Sequence, residues 1–176
     1  MSLPLHSRRA QNRFKPGEPL PQVFRIAKTR RIRDLTGTGA RKYGGRWNDK
    51  GISVIYASES RSLAAVEYLV HVPLSILPTD LSIARLEIPD AAIPKQILIN
   101  DLPVNWRDYP APRELAELGT NWVLENDSLL LRVPSVVVAN EYNMLINPEH
   151  PNSGDVTITH IESFAFDPRL LRRTGD

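Results

Sequence analysis

A chain of 176 residues, 41% hydrophobic and 24% charged, has the composition of one soluble globular domain with a substantial core, and that excludes a disordered chain. The lack of cysteine removes disulfides, thiolate nucleophiles and cysteine-ligated metals and suits a cytoplasmic protein; no apolar run reaches membrane-spanning length, and MSLPLHSRRAQNRF lacks the apolar core of a signal peptide. The net charge of +2 hides a polarity, because residues 1–50 hold 13 Lys/Arg and 3 Asp/Glu and the remainder 9 and 17, which points to an anionic ligand or an oppositely charged partner.

Residues 1–20 carry Pro4, Pro16 and Pro19 among scattered basic residues and predict an extended arm, leaving 21–176 as the domain. VFRI (23–26) is a short strand containing Arg25. A basic, glycine-bearing loop follows, with Arg30, Arg31 and Arg33 as a cluster that a solvated face explains equally well. Within it, KYGGRWNDKG (42–51) sets Arg46 among Gly44, Gly45 and Gly51, the composition of a shaped loop that presents a side chain. ISVIYAS (52–58) predicts an interior strand with Tyr56 on the face of Ile52 and Val54.

A helix is expected from a Ser60 cap to Pro73, with the stripe Leu63, Val66 and Val70 facing inward. Glu67 lies on or beside that stripe, where a carboxylate costs free energy unless it is paired or hydrogen-bonded. LSIARLEIP (81–89) and QILI (96–99) predict strands. PRELAELGTNWVLEN (112–126) predicts a helix with Leu115, Leu118 and Trp122 inward. LLLRVPSVVVA (129–139) predicts two strand segments jointed at Pro134, with Ser135 at the joint. NMLINPEHP follows as a polar, proline-bounded turn holding Asn143, Asn147 and His150, for which turn capping competes with ligand binding. VTITHIESFAF (156–166) is the last strand. Strands outnumber helices, so the class is α+β, a single domain with a mixed or largely antiparallel sheet and flanking helices.

Familiar motifs are mostly absent. GTGARK (37–42) has lysine where a dinucleotide fingerprint needs its third glycine, and no phosphate-binding GxxxxGK[ST] occurs. The four histidines lack metal-ligand spacing, so no metal is expected. Ser135 lacks the glycine-flanked elbow of a hydrolase nucleophile. What remains is Arg46, Tyr56 and Glu67 in one loop–strand–helix unit, with Ser135 arriving from a distant strand. These are a bidentate phosphate binder, an aromatic platform, a half-buried carboxylate and a hydroxyl. The set suits NAD+, whose pyrophosphate can meet the arginine and whose N-glycosidic bond breaks through a cationic ribose. Ordinary glycosidases need a second carboxyl to protonate the leaving oxygen. Nicotinamide leaves from an already cationic ring, so one carboxylate suffices. A structural ion pair of Arg46 with Glu67, with Tyr56 in the core, is the competing reading.

VFRI, LTGTGARKYGGRWNDKG, VIYAS, SLAAVEYLVH, LGTNW, VPSVVV and NMLINPEHP, in that order over most of the chain, resemble the RES-domain family, the toxin half of a class of bacterial toxin–antitoxin pairs. The resemblance implies an ADP-ribosyltransferase-like fold. It also implies NAD+ as substrate rather than cofactor, and toxicity by NAD+ cleavage with water or phosphate as acceptor, or by ADP-ribosylation of a protein. It further implies a hetero-oligomer with an antitoxin whose helix-turn-helix part contacts DNA and which blocks the cleft. By position, Arg46, Glu67 and Ser135 are the family's namesake residues. Arg46 would bind the NAD phosphates with help from Arg25 or Arg33, Tyr56 would pack on the nicotinamide side, and Glu67 would stabilise the ribose cation. Ser135 would hydrogen-bond the ribose or Glu67, and Asn143 would contact substrate. A non-catalytic nucleic-acid-binding module, gripping through the basic N-terminal third, is the alternative from another class.

Overall fold

The computed structural model describes residues 22–73 and 77–171; the expected arm of residues 1–20 lies outside them. One seven-stranded sheet organises the chain: β1 (Val23–Lys28), β2 (Ile55–Ser58), β3 (Leu81–Glu87), β4 (Lys95–Gln96), β5 (Leu130–Pro134), β6 (Tyr142–Ile146) and β7 (Thr157–Phe164). Its order is β4-β5-β6-β2-β1-β3-β7, and every neighbouring pair is antiparallel except β4–β5. With α1 (Thr38–Tyr43), α2 (Arg61–Val70) and α3 (Arg113–Glu125), the class is α+β with a mixed sheet.

The strands at the centre are apolar on both faces, and their period of two divides the core. Leu130, Met144 and Ile146 join Val23, Ile55 and Leu86 in one buried cluster. Leu131, Val133 and Leu145 point the other way, into a cluster with Trp47, Trp106, Leu115 and Trp122. α3 covers that second face with Leu115, Trp122 and Val123 and stops where Asn126 turns left-handed at φ 53°. Leu118, expected inward, is exposed.

α2 begins as the Ser60 cap predicts: the Ser60 side chain accepts the Leu63 amide at 3.0 Å, a contact worth about 1 kcal/mol. Leu63 and Ala64 are its buried residues, and Ala64 packs with Ile26, Leu81 and Ile83. Val66 and Val70 of the expected inward stripe are exposed instead, and Val70 lines a cavity. The helix lies over β1 and β2 with its neighbouring face turned to that cavity, which is why its hydrophobic spacing overstates its core face.

Three further expectations are corrected. Residues 38–43, expected as loop, form α1. In QILI only Gln96 is strand; Ile97 still donates its amide to the Arg132 carbonyl at 3.0 Å, and 99–101 is a 3-10 turn. The segment after Pro134 is the connection of a β5–β6 hairpin rather than a second strand, because the Ser135 hydroxyl accepts the Val137 and Val138 amides at 3.1 and 3.0 Å and curls the chain. The returning strand is β6, so Asn143, expected in a turn, sits in a central strand opposite Ser58.

Candidate active site

The glycine-framed loop is a tight turn closed by the Gly45 amide on the Asn48 carbonyl at 2.9 Å. A Cβ on Gly45 would lie 2.6 Å from the Tyr56 Oη and 2.9 Å from Asn48 Oδ1, so only glycine allows the turn to sit on that hydroxyl. The Tyr56 hydroxyl donates to Asn48 Oδ1 at 2.8 Å and accepts the Trp47 amide at 3.2 Å. Asn48, fully buried, spends its Nδ2 on the carbonyls of Ala40, Asp49 and Ile52. Trp47 anchors the turn in the core beneath α3. With both following residues fixed, Arg46 is aimed into the cavity.

The Arg46 guanidinium is itself held, donating from Nη1 to the Trp106 carbonyl at 2.7 Å and from Nη2 to the Asp108 carbonyl at 3.2 Å. Burial pushes its pKa below the usual arginine range, and the charge of Glu67 and the nearby Tyr56 pull it partly back. Burial likewise pushes the Tyr56 phenol above its ordinary range, offset in part by the Trp47 amide and Arg46.

Glu67, from the middle of α2, reaches the ends of β5 and β6. Its Oε1 accepts both the Ser135 hydroxyl at 2.7 Å and the Asn143 Nδ2 at 2.6 Å. Since the Ser135 oxygen already accepts two backbone amides, its single proton is committed to the carboxylate. Each such bond to a charged acceptor is worth about 1.5–3 kcal/mol, which answers why a carboxylate tolerates this place on the helix. Among the described residues Oε2 receives no hydrogen bond, and Arg46 forms no direct ion pair with Glu67. The carboxylate is oriented at one oxygen and free at the other.

Arg46, Tyr56, Glu67, Asn143 and Arg25 all line one cavity of about 750 Å³, within the range of small-molecule sites. Arg25 donates to the Asp34 carbonyl; burial pushes its guanidinium pKa down, and Asp34 offsets this. Ser135 is buried behind Glu67 and not among the lining residues, so its contact is with the carboxylate. Arg33 is exposed and outside the lining. Asn147 and His150 serve turns: Asn147 bonds Asn126 and the Val123 carbonyl, and His150 accepts the Asn152 amide. The pattern reading missed Ser58, Asn48, His71, Arg107 and Tyr109. Ser58 and Asn48 announce themselves only through the pairing of strands and turns, and the other three only through the cavity they line. Among the described residues no three His, Asp or Glu side chains cluster to hold a metal, and no helix is long and apolar enough to cross a membrane.

Residues 22–167 match the family model described as RES domain. The chain is 42% identical to Toxin Res of Yersinia enterocolitica over 84% of this chain and 98% of that protein. It is 37% identical to the Prs ADP-ribosylating toxin of Sphingobium sp. (strain YBL2) over 84% of this chain and 92% of that protein. A chain in the crystal structure of the M. tuberculosis MbcT-MbcA toxin-antitoxin complex shares its fold with a TM-score of 0.64 at 16% identity, covering 85% of this chain and 86% of its own.

Proposed function

The chain belongs to the RES domain family, and from that premise we propose that it is the enzymatic toxin of a toxin–antitoxin pair and cleaves the nicotinamide–ribose bond of NAD+ in the cytoplasm. The observation that carries this reading is the carboxylate of Glu67, gripped through Oε1 by Ser135 and Asn143, on the wall of a cavity that Arg46 enters. The names of the relatives, toxins and an ADP-ribosylating toxin, support the substrate, since NAD+ is the ADP-ribose donor of such chemistry.

In this reading Arg46, with Arg25, holds the pyrophosphate, and the Tyr56 ring flanks the nicotinamide. The C1′–N bond breaks heterolytically and its electron pair neutralises the pyridinium nitrogen, so nicotinamide leaves without a proton donor. The positive charge that develops on the ribose is stabilised by the preoriented Glu67 carboxylate in a partly dry site. Water then adds to C1′ and loses one proton, giving ADP-ribose; phosphate as acceptor gives the 1-phosphate of ADP-ribose instead. A protein acceptor is the second reading, favoured by the exposed apolar and aromatic rim of Tyr43, Val70, Tyr109 and Val137 around the mouth, which suits a polypeptide. The same mouth suits an antitoxin that closes the cleft and brings a helix-turn-helix DNA contact of its own; the fold shared with a member of a toxin–antitoxin complex supports such a partner.

The test is NAD+ content and nicotinamide release in cells expressing the chain alone, against Glu67→Gln and Arg46→Ala. Glu67→Gln should remain folded and lose about 10²–10³-fold in rate, the scale for removing one preorganised electrostatic group. Unchanged NAD+ with the folded wild-type chain, and no ADP-ribose on any protein, would overturn the proposal.

A further inference from the structure

Ser58 ends β2 as a buried hydroxyl on the cavity wall, directly opposite Asn143 in the β2–β6 register. Its Oγ donates to Asn143 Oδ1 at 2.7 Å, and Asn143 Nδ2 donates to Glu67 Oε1 at 2.6 Å. An amide side chain has two ends of nearly equal shape and opposite polarity, and half a turn about its last bond exchanges them. The carboxylate can only accept, so it demands the Nδ2 end. Ser58 supplies the matching demand at the other end, because its proton needs an acceptor in a buried place.

We propose that Ser58 is a positioning residue: its hydroxyl fixes the Asn143 amide so that Nδ2 faces Glu67, and the Asn143 and Ser135 bonds together hold the carboxylate with Oε2 toward substrate. The junction that bears Ser58 is anchored by its two successors. Glu59 pairs with the buried Arg132, whose Nη2 reaches Glu59 Oε2 at 3.0 Å, and Ser60 caps the helix that carries Glu67. Ser58, Glu59 and Ser60 therefore tie β6, β5 and α2 to a single point of the chain. Without the hydroxyl, Asn143 Oδ1 loses its donor and the amide is held only at its other end, by the carboxylate. An amide anchored at one end turns more readily, and each turn sets oxygen against oxygen and releases Glu67 from one of its two grips.

The activity part of this inference rests on the proposed function; the structural part does not. The experiment compares the full wild-type chain with Ser58→Ala and Ser58→Thr, with Asn143→Ala used to assign the Asn143 side-chain amide in ¹⁵N–¹H spectra. In the wild type the Asn143 amide protons should be shifted downfield and exchange slowly with water. In Ser58→Ala they should exchange at least about tenfold faster, and Ser58→Thr, which keeps the hydroxyl, should retain protection. Nicotinamide release should show kcat reduced about tenfold in Ser58→Ala with KM for NAD+ within about twofold, the split expected of a group acting on the transition state through another. An Asn143 amide that exchanges freely in the wild type overturns the proposal even if Ser58→Ala does not fold. So do unchanged amide signals in a folded Ser58→Ala. Should the wild type release no nicotinamide, the proposed function fails while the amide spectra still decide the role of Ser58.

Discussion

Gly119, in the middle of α3, is the position where a single methyl group should do most harm to the loop that aims Arg46. A Cβ there would stand 1.9 Å from the Trp47 carbonyl oxygen, 2.8 Å from its carbon and 3.2 Å from its Cβ. Carbon and oxygen come no closer than about 3.3 Å without strain, so α3 and the turn would have to part by about 1.4 Å. The turn resists, because Trp47 is buried and its amide and the next side chain are held by Tyr56. Overfilling a packed site costs about 1–3 kcal/mol, and a backbone obstacle places this case near the upper end. The better helix propensity of alanine returns about 1 kcal/mol, leaving a net loss of about 2 kcal/mol, or a Tm lower by about 4–8 °C for a chain of this size. Gly39→Ala is the control, since that glycine lies in α1 with nothing within 4 Å of the added carbon, and the same substitution there should raise Tm by about 1–3 °C. Urea unfolding with constant m and thermal melts measure both. A Gly119→Ala chain as stable as wild type would refute the claim that α3 braces the arginine turn.

Arg132→Met removes the partner of Glu59, a carboxylate only 21% exposed, and should cost about 3 kcal/mol, with the double replacement Arg132→Met/Glu59→Gln recovering part of it. Chemical denaturation of the four chains gives the coupling, and a double variant no better than the single one would show that Arg132 acts chiefly through other contacts such as the Tyr142 ring 3.4 Å from its guanidinium. Tyr56→Phe keeps the ring on the cavity wall but strips partners from the Trp47 amide and Asn48 Oδ1, for a loss of about 1–3 kcal/mol read by thermal melting. Burial raises the Tyr56 phenol above its unfolded value, so its stabilisation is complete below about pH 10 and is lost as pH rises beyond that. Tyr56→Phe should therefore flatten the alkaline limb of stability against pH, and an unaltered limb would refute the assignment.

What could be seen in the pattern of residues was decided by how local its cause is. The Ser60 cap and the apolar face of α3 at Leu115 and Trp122 depend on near neighbours and appear where expected, while the strand expected over 52–58 forms only at Ile55–Ser58. Glu67 was legible because a carboxylate at a helix position next to apolar residues needs partners; of these, Ser135 is named only through the family resemblance, and Asn143 is expected on the substrate instead. SVVVA carries strong strand propensity, yet two backbone amides captured by one hydroxyl outweigh it. NMLIN reads as polar because Asn143 faces Glu67 and Asn147 the start of a turn, functions that only the strand order reveals. Val66 and Val70 have core spacing but are exposed, Val70 on the wall of a cavity, and a periodic pattern cannot tell a core from a cleft.

The sheet order has a consequence in time. β6 is the penultimate strand in sequence and yet lies between β2 and β5, and it carries Asn143, while Ser135 precedes it by only a few residues. A growing chain that has released Arg25, Arg46 and Glu67 but not β5 and β6 therefore holds the carboxylate and two of the arginines that line the cavity, with an open gap in the middle of its sheet and neither donor on the carboxylate. Such long-range closure is slow relative to local structure. During synthesis the cleft is thus completed only after residue 146 has left the ribosome, and a truncated or stalled product ending earlier lacks all or part of the strand that carries Asn143.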